Sequence, residues 1–222
     1  MPKVSTEYVN KKKNDILEAA LSVCETKPLY EINMKDIIKA SGLSQGGIYL
    51  YYSDIDDILV SIINNSNTNS DYRPSVDSII ESSTTPNDVI ERLFTFLGNY
   101  MEVSPIIIGK IQFELGVLFT NHPERQEKIL SKITEQQSGQ YLMEQLIGKI
   151  IEGISSGYFI PSLPLNDIIT FITASIDGIV THVILEKCYG ILQNDKREYY
   201  PISLMKTLSK SVLLMLGCNQ SK

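Results

Sequence analysis

Apolar residues recur at intervals of three and four along almost the whole chain, the spacing that lines them up on one face of an α-helix. Ile16, Ala19, Ala20 and Val23 form the first such stripe and predict a helix over 11–26, which Pro28 ends. Asn33 offers an N-cap for a short second helix over 34–41, with Met34, Ile37 and Ile38 turned inward. Gly42-Leu43-Ser44 then supplies a left-handed stop, an apolar anchor and a fresh N-cap. A third helix, over about 45–52, therefore follows across a tight corner. Ser53 and Asp54 cap a fourth, in which Ile55, Ile58, Leu59, Ile62 and Ile63 make the buried stripe and Asp56 and Asp57 suit the positive helix start. The Asn- and Ser-rich run 64–69 reads as a boundary.

The same periodicity predicts further helices over about 74–82, 87–101, 105–120, 123–158, 166–188 and 201–216. Prolines 74, 86, 105, 123, 161, 164 and 201 fall at or near their starts and connections, where a helical protein tolerates them. No segment alternates convincingly as a strand. Tyr158-Phe159-Ile160 comes nearest, and the prolines beside it favour a loop. The expected fold is all-α, with a small head over 1–53 and a larger helical domain over 54–222, bridged by the fourth helix.

With 222 residues and 43% hydrophobic content, the chain can bury a sizeable core. Its net charge of −6 argues against a broadly basic nucleic-acid surface, but the distribution changes that picture. Residues 1–52 hold seven Lys and Arg against six Asp and Glu, whereas 53–222 hold thirteen against twenty. Any nucleic-acid contact is thus expected at the N-terminal end, where Lys3, Lys11, Lys12 and Lys13 precede or open the first helix and a flexible arm could reach a phosphate backbone. No apolar stretch follows the basic residues of the N-terminus, and runs such as Ile106-Ile107-Ile108 stop well short of about 20 residues, so neither secretion nor a membrane span is expected. A cytoplasmic protein follows.

Cys24, Cys188 and Cys218 are odd in number and far apart, and Cys24 sits on an apolar helical face, which suits reduced thiols and core packing. His122 precedes Pro123, and His182 has one carboxylate, Glu186, at helical spacing, so neither marks a metal site. No nucleophile with its base, no phosphate-cradling loop and no dinucleotide fingerprint stands out, so no enzyme activity, cofactor or metal is expected.

What remains is a helix supported across a rigid corner by the helix before it, the arrangement with which a helix-turn-helix seats its second helix in the major groove. Ile16-Leu17-Glu18-Ala19-Ala20, Ile37-Ile38-Lys39-Ala40-Ser41-Gly42-Leu43-Ser44 and Gly47-Ile48-Tyr49-Leu50-Tyr51-Tyr52 together resemble the N-terminal domain of the TetR family of bacterial regulators. The resemblance spans about the first quarter of the chain. It implies a homodimer whose second domain binds a small-molecule effector and dimerises, and whose heads bind a double-stranded DNA operator.

Several head residues carry chemistry of their own. Gln45 opens the third helix with an amide able to donate and accept at adenine. Gly46 and Gly47 each cost about 1 kcal/mol of helix propensity against alanine. Either their bare backbone approaches a phosphate, or a crowded helix crossing excludes side chains there. The resemblance puts Tyr49 and Tyr51 near DNA, their hydroxyls reaching the sugar-phosphate backbone, while Ile48 and Tyr52 suit the core. Asn33 and Ser44 can cap helices and touch phosphate, Lys35 adds a phosphate charge, and Lys39 suits solvent. One departure stands out: where the family carries a lysine at the start of the fourth helix, this chain has Ile55 followed by Asp56 and Asp57.

In the second domain, Met101, Phe113, Glu114, Phe119 and Tyr141 could line the pocket that the resemblance implies, although each also suits ordinary packing. Ala174, Gly178, His182, Leu208 and Val212 could form a two-fold four-helix interface from the last two helices, and the same pattern could pack within one subunit. The competing function is a homodimeric ligand-binding or protein-interaction module without DNA affinity, which Ile55 and the acidic pair encourage.

Overall fold

The computed structural model describes residues 5–69, 71–104, 106–134, 137–190 and 200–217. Eleven α-helices appear among them: α1 Thr6–Thr26, α2 Met34–Ser41, α3 Gln45–Tyr49, α4 Ile55–Asn69, α5 Arg73–Ser82, α6 Pro86–Val103, α7 Ile106–Asn121, α8 Pro123–Leu130, α9 Gln137–Ser155, α10 Leu165–Tyr189 and α11 Pro201–Leu216. The fold is all-α, as the periodicity requires, and no strand occurs among the described residues. At Tyr158-Phe159-Ile160, where the flanking prolines favour a loop over a strand, the backbone forms a short connection. There Ile160 N–H donates to the Gly217 carbonyl, and Ser162 N–H to that of Met215, each at 2.9 Å.

The chain divides into two compact units, one comprising Met1–Asn69 with Ile107–Glu135 and the other Ser70–Ile106 with Gln136–Lys222. The first is built on the predicted stripes: Ile16, Ala20, Ile37, Ile48, Ile58, Leu59 and Ile62 meet Ile111, Leu115 and Ile129 in one core. The second packs α6 against α11 and α9, with Leu93, Phe94, Leu146, Ile150, Met205 and Val212 inside. Gly98 fixes the approach of α6 to α11, since a Cβ there would come within 2.8 Å of Ile202 Cα.

Three expectations are corrected. α1 begins at Thr6, because the Ser5 side chain accepts from Tyr8 N–H at 3.2 Å and caps the helix earlier than the apolar stripe announces. Lys11, Lys12 and Lys13 therefore lie inside α1 rather than at its opening, and Lys3 lies outside the described residues. The run 64–69 is the last part of α4, and the single helix expected over 123–158 is two helices. These two corrections have one cause. Asn64 donates to the Lys132 carbonyl at 3.0 Å and accepts from Thr134 N–H at 2.8 Å, while Asn67 donates to the Thr134 carbonyl at 2.7 Å. The asparagines of α4 thus bind the backbone that α8 releases at its end.

Candidate nucleic-acid interface

The corner between α2 and α3 is held by local hydrogen bonds. Asn33 accepts from Lys35 N–H at 3.0 Å and Asp36 returns a bond to Asn33 N–H at 3.1 Å, a capping box that starts α2. Lys27 reaches Asp36 at 2.7 Å, and this contact, followed by the Asn33 backbone bond, holds the Asp36 carboxyl below its usual range. Gly42 takes the left-handed conformation, φ 65°, that ends α2. Ser44 caps α3 by accepting from Gly47 N–H at 3.2 Å.

From this corner α3 projects two faces. Ile48 and Tyr52 point inward, 0% and 5% exposed, and Tyr51 is half-buried against the same core. Gln45, Gly46, Tyr49 and Leu50 point outward, with Asn33, Lys35, Lys39 and Ser44 exposed beside them on α2 and the turn. A Cβ at Gly46 would meet nothing within 4 Å, so crowding does not explain that glycine. At Gly47 the nearest atom would be the Ser44 cap hydroxyl, 3.2 Å away. Leu50, an exposed apolar residue that carries no polar signal in the sequence, is the main difference between the expected face and the observed one.

The acidic start of α4 is neutralised within its own unit. Asp56 is buried and pairs with Arg125 and, at 3.2 Å, with Lys128; Asp54 meets Lys128 at 2.6 Å, and Asp57 meets Lys132 at 2.6 Å. Asp57 also accepts from the Ser53 hydroxyl, and Asp54 accepts from Asp57 N–H at 3.0 Å, capping α4. The Lys132 and Ser53 bonds lower the Asp57 carboxyl. Partial burial would raise Asp54, but Lys128 and the Asp57 backbone bond outweigh it and hold it low.

A second polar clamp lies behind the corner. Lys110 on α7 is buried and donates to the carbonyls of Cys24 and, at 3.2 Å, Lys27, at the end of α1. Glu114, one turn along and 3.8 Å from Lys110, accepts from Leu29 N–H at 2.6 Å. Burial pushes the neighbouring Cys24 thiol up to about 11, so it is a packed and unreactive group.

The residues expected to line an effector pocket are distributed over both units. Phe113, Glu114 and Phe119 lie on α7 in the first, Phe119 packed on its core, while Met101 and Tyr141 pack on the core of the second. Tyr141 donates to Asp77. In the same unit, Tyr72 forms ring contacts with Phe96 and Tyr100 at 5.5 and 4.9 Å. Of the residues expected at a subunit interface, Ala174, Gly178 and His182 form an exposed stripe on α10. Leu208 and Val212 are instead buried in their own unit, 5% and 0% exposed, because the inward stripe of α11 faces α6. α10 is, by length and composition alone, apolar enough to cross a bilayer, with a mean hydropathy of 1.9 over its most apolar window and 22% of that window buried. Thr170, Thr173, Ser175, Asp177 and Thr181 interrupt its apolar residues, so no unbroken run marks it in the sequence.

Residues 16–62, from the first stripe through the corner into α4, match the family model for bacterial regulatory proteins of the tetR family. The match covers the helix-turn-helix head, α1 through α4, and it is there that this chain is similar to the tetR family. A relative across most of its length is the uncharacterized HTH-type transcriptional regulator YfiR of Bacillus subtilis (strain 168), 27% identical over 183 residues, 82% of this chain and 85% of that protein. Among solved structures, the fatty acid degradation regulator FadR from Bacillus halodurans aligns with a TM-score of 0.57 at 21% identity, over 91% of this chain and 94% of its own. FadR from Bacillus subtilis, solved in complex with stearoyl-CoA, aligns with a TM-score of 0.55 at 22% identity, over 93% of this chain and 99% of its own. At such identities the likeness is one of fold. The head of this chain thus resembles that of the tetR-family regulators, and its remaining helices share their fold.

Proposed function

We propose that the protein is a cytoplasmic, ligand-responsive repressor that binds an approximately palindromic operator as a homodimer. Residues 1–53 read DNA, and 54–222 carry effector binding and dimerisation, with α4 linking the two tasks. The observation that carries this reading is the outward face of α3, where Gln45, Gly46 and Tyr49 stand exposed beside Lys35 on a capped corner. Gln45 reads a base; Asn33, Lys35, Ser44, Gly47, Tyr49 and Tyr51 contribute backbone contacts. Two such heads, about 34 Å apart or a multiple of that, match successive major grooves. The competing module without DNA affinity drew its support from Ile55, Asp56 and Asp57; pairing of both carboxylates with α8 and its following turn removes most of that support.

The effector is an apolar or amphipathic small molecule, bound beside Met101 and the aromatic group of Tyr72, Phe96 and Tyr100 in the second unit. An acyl-CoA, the class seen in Bacillus subtilis FadR, is the first to try. It lowers DNA affinity only as far as it prefers a state in which the heads are differently spaced. The exposed stripe of α10, Ala174, Gly178 and His182 with Phe171, forms the dimer face, and this accounts for its apolar surface without a membrane.

Selection of bound fragments from genomic DNA at low salt tests the reading. Enrichment of a palindromic sequence is the expected outcome, and failure to enrich any sequence overturns it. On the enriched site, Gln45→Ala alters base preference, whereas Lys35→Ala weakens binding to all sequences and reduces the salt dependence.

A further inference from the structure

We infer that Leu50 is a specificity-determining residue that reads the C5-methyl group of a thymine, an inference that rests on the DNA-binding reading above. Leu17, Leu29 and Leu59 of the same unit are 6%, 6% and 1% exposed, and Leu21 and Leu43 pack against its core. Leu50 is 76% exposed. Its backbone is helical, φ −66° and ψ −27°, and its N–H bonds back to the Gly46 carbonyl at 3.2 Å, so it lies one turn beyond Gly46 and next to the exposed Tyr49. The fold gains no burial from this side chain.

An apolar side chain on a major-groove face has one complementary group among the base edges, since thymine alone presents a methyl there. Leu50 lies five residues beyond Gln45. At about 1.5 Å of rise per residue that is roughly 7.5 Å, or about two base steps of 3.4 Å. The thymine is therefore expected about two base pairs from the base that Gln45 reads, in each half-site.

The test uses the genomic fragment enriched by the full-length protein, resynthesised with deoxyuridine replacing each thymine in turn, which removes only the methyl. The wild type is expected to lose about threefold to tenfold in affinity at one symmetry-related pair of positions, the effect of one buried methyl. Leu50→Ala is expected to bind the thymine and uracil versions equally, and Leu50→Met to restore part of the difference. Wild-type indifference to uracil at every position, or an unchanged uracil penalty in Leu50→Ala, overturns the assignment of Leu50 while leaving DNA binding intact. Failure to enrich any fragment overturns the DNA-binding reading and this inference with it. Unaltered thermal unfolding of Leu50→Ala, expected for so exposed a residue, separates recognition from folding.

Discussion

Gly46 sits in the first turn of α3 with open space where a side chain would be, and its φ is not positive. Neither packing nor backbone geometry within the subunit requires glycine. Gly46→Ala is therefore expected to raise the stability of the protein by up to about 1 kcal/mol in chemical denaturation. On the proposed reading it is also expected to weaken operator binding, because the added methyl would stand where a phosphate or base edge is proposed to approach. A more stable variant with unchanged affinity would remove Gly46 from the interface. Lys110 presents the opposite case, a charge that the fold does require. Lys110→Met removes the cation 3.8 Å from Glu114 and withdraws a buried donor from the carbonyls at the end of α1, so a loss of about 3 kcal/mol is expected in urea denaturation. Glu114→Gln keeps an acceptor for Leu29 N–H and should lose less. Equal, small losses would show the clamp to be inessential. In the sequence, Lys110 and Glu114 are an ordinary i, i+4 pair, indistinguishable from a solvated one. Their role depends on the end of α1, more than eighty residues earlier in the chain.

At the scale of elements, most helices were legible because their apolar stripes are long and their prolines and caps mark the starts; α2 and α11 have the predicted bounds. The break between α8 and α9 was not, since no glycine or proline marks it and the side chains that satisfy its backbone belong to α4. The candidate site was legible where caps and turn residues are local, from Asn33 to Ser44, and illegible where charge compensation is distant. Asp54 and Asp57 look like liabilities until Lys128 and Lys132 come to them from about seventy residues away. This pairing has a pH consequence. Both carboxyls are lowered in the folded protein, so their contribution to stability is complete above their unfolded values, near 4, and is lost as the pH falls through the lower folded ones. Thermal unfolding followed from pH 7 to 3 should show little change from this network above about pH 5 and a decline below about 4. The decline should be smaller in a Lys128→Met, Lys132→Met variant. A decline of the same size in that variant would assign the acid sensitivity to other groups.

For the whole molecule, glycines separate packing inside the subunit from packing against a partner. At Gly98 a side chain would strike α11 of the same chain, so the subunit itself accounts for that glycine. Gly178 lies in the middle of a 25-residue helix, where a Cβ would meet nothing within 4 Å. It costs about 1 kcal/mol of helix propensity without any return in its own subunit. Ala174 and His182 are one turn away on either side, and Phe171 nearby is 43% exposed, so the stripe has small residues for close approach and apolar area to bury. An isologous two-fold contact repeats each of these residues across the axis, which doubles the effect of a single substitution. Gly178→Glu should therefore give monomers by sedimentation at concentrations where the wild type is dimeric, with helical content unchanged because the site is open in the subunit. If each head reads one half-site, as proposed, separation removes the effective concentration that the first head gives the second, and operator affinity should fall on the order of 100-fold. Binding to an isolated half-site should be unaffected. Retention of the dimer would place the two-fold surface away from this stripe, whereas monomers that still bind the full operator tightly would mean that the two heads do not act together.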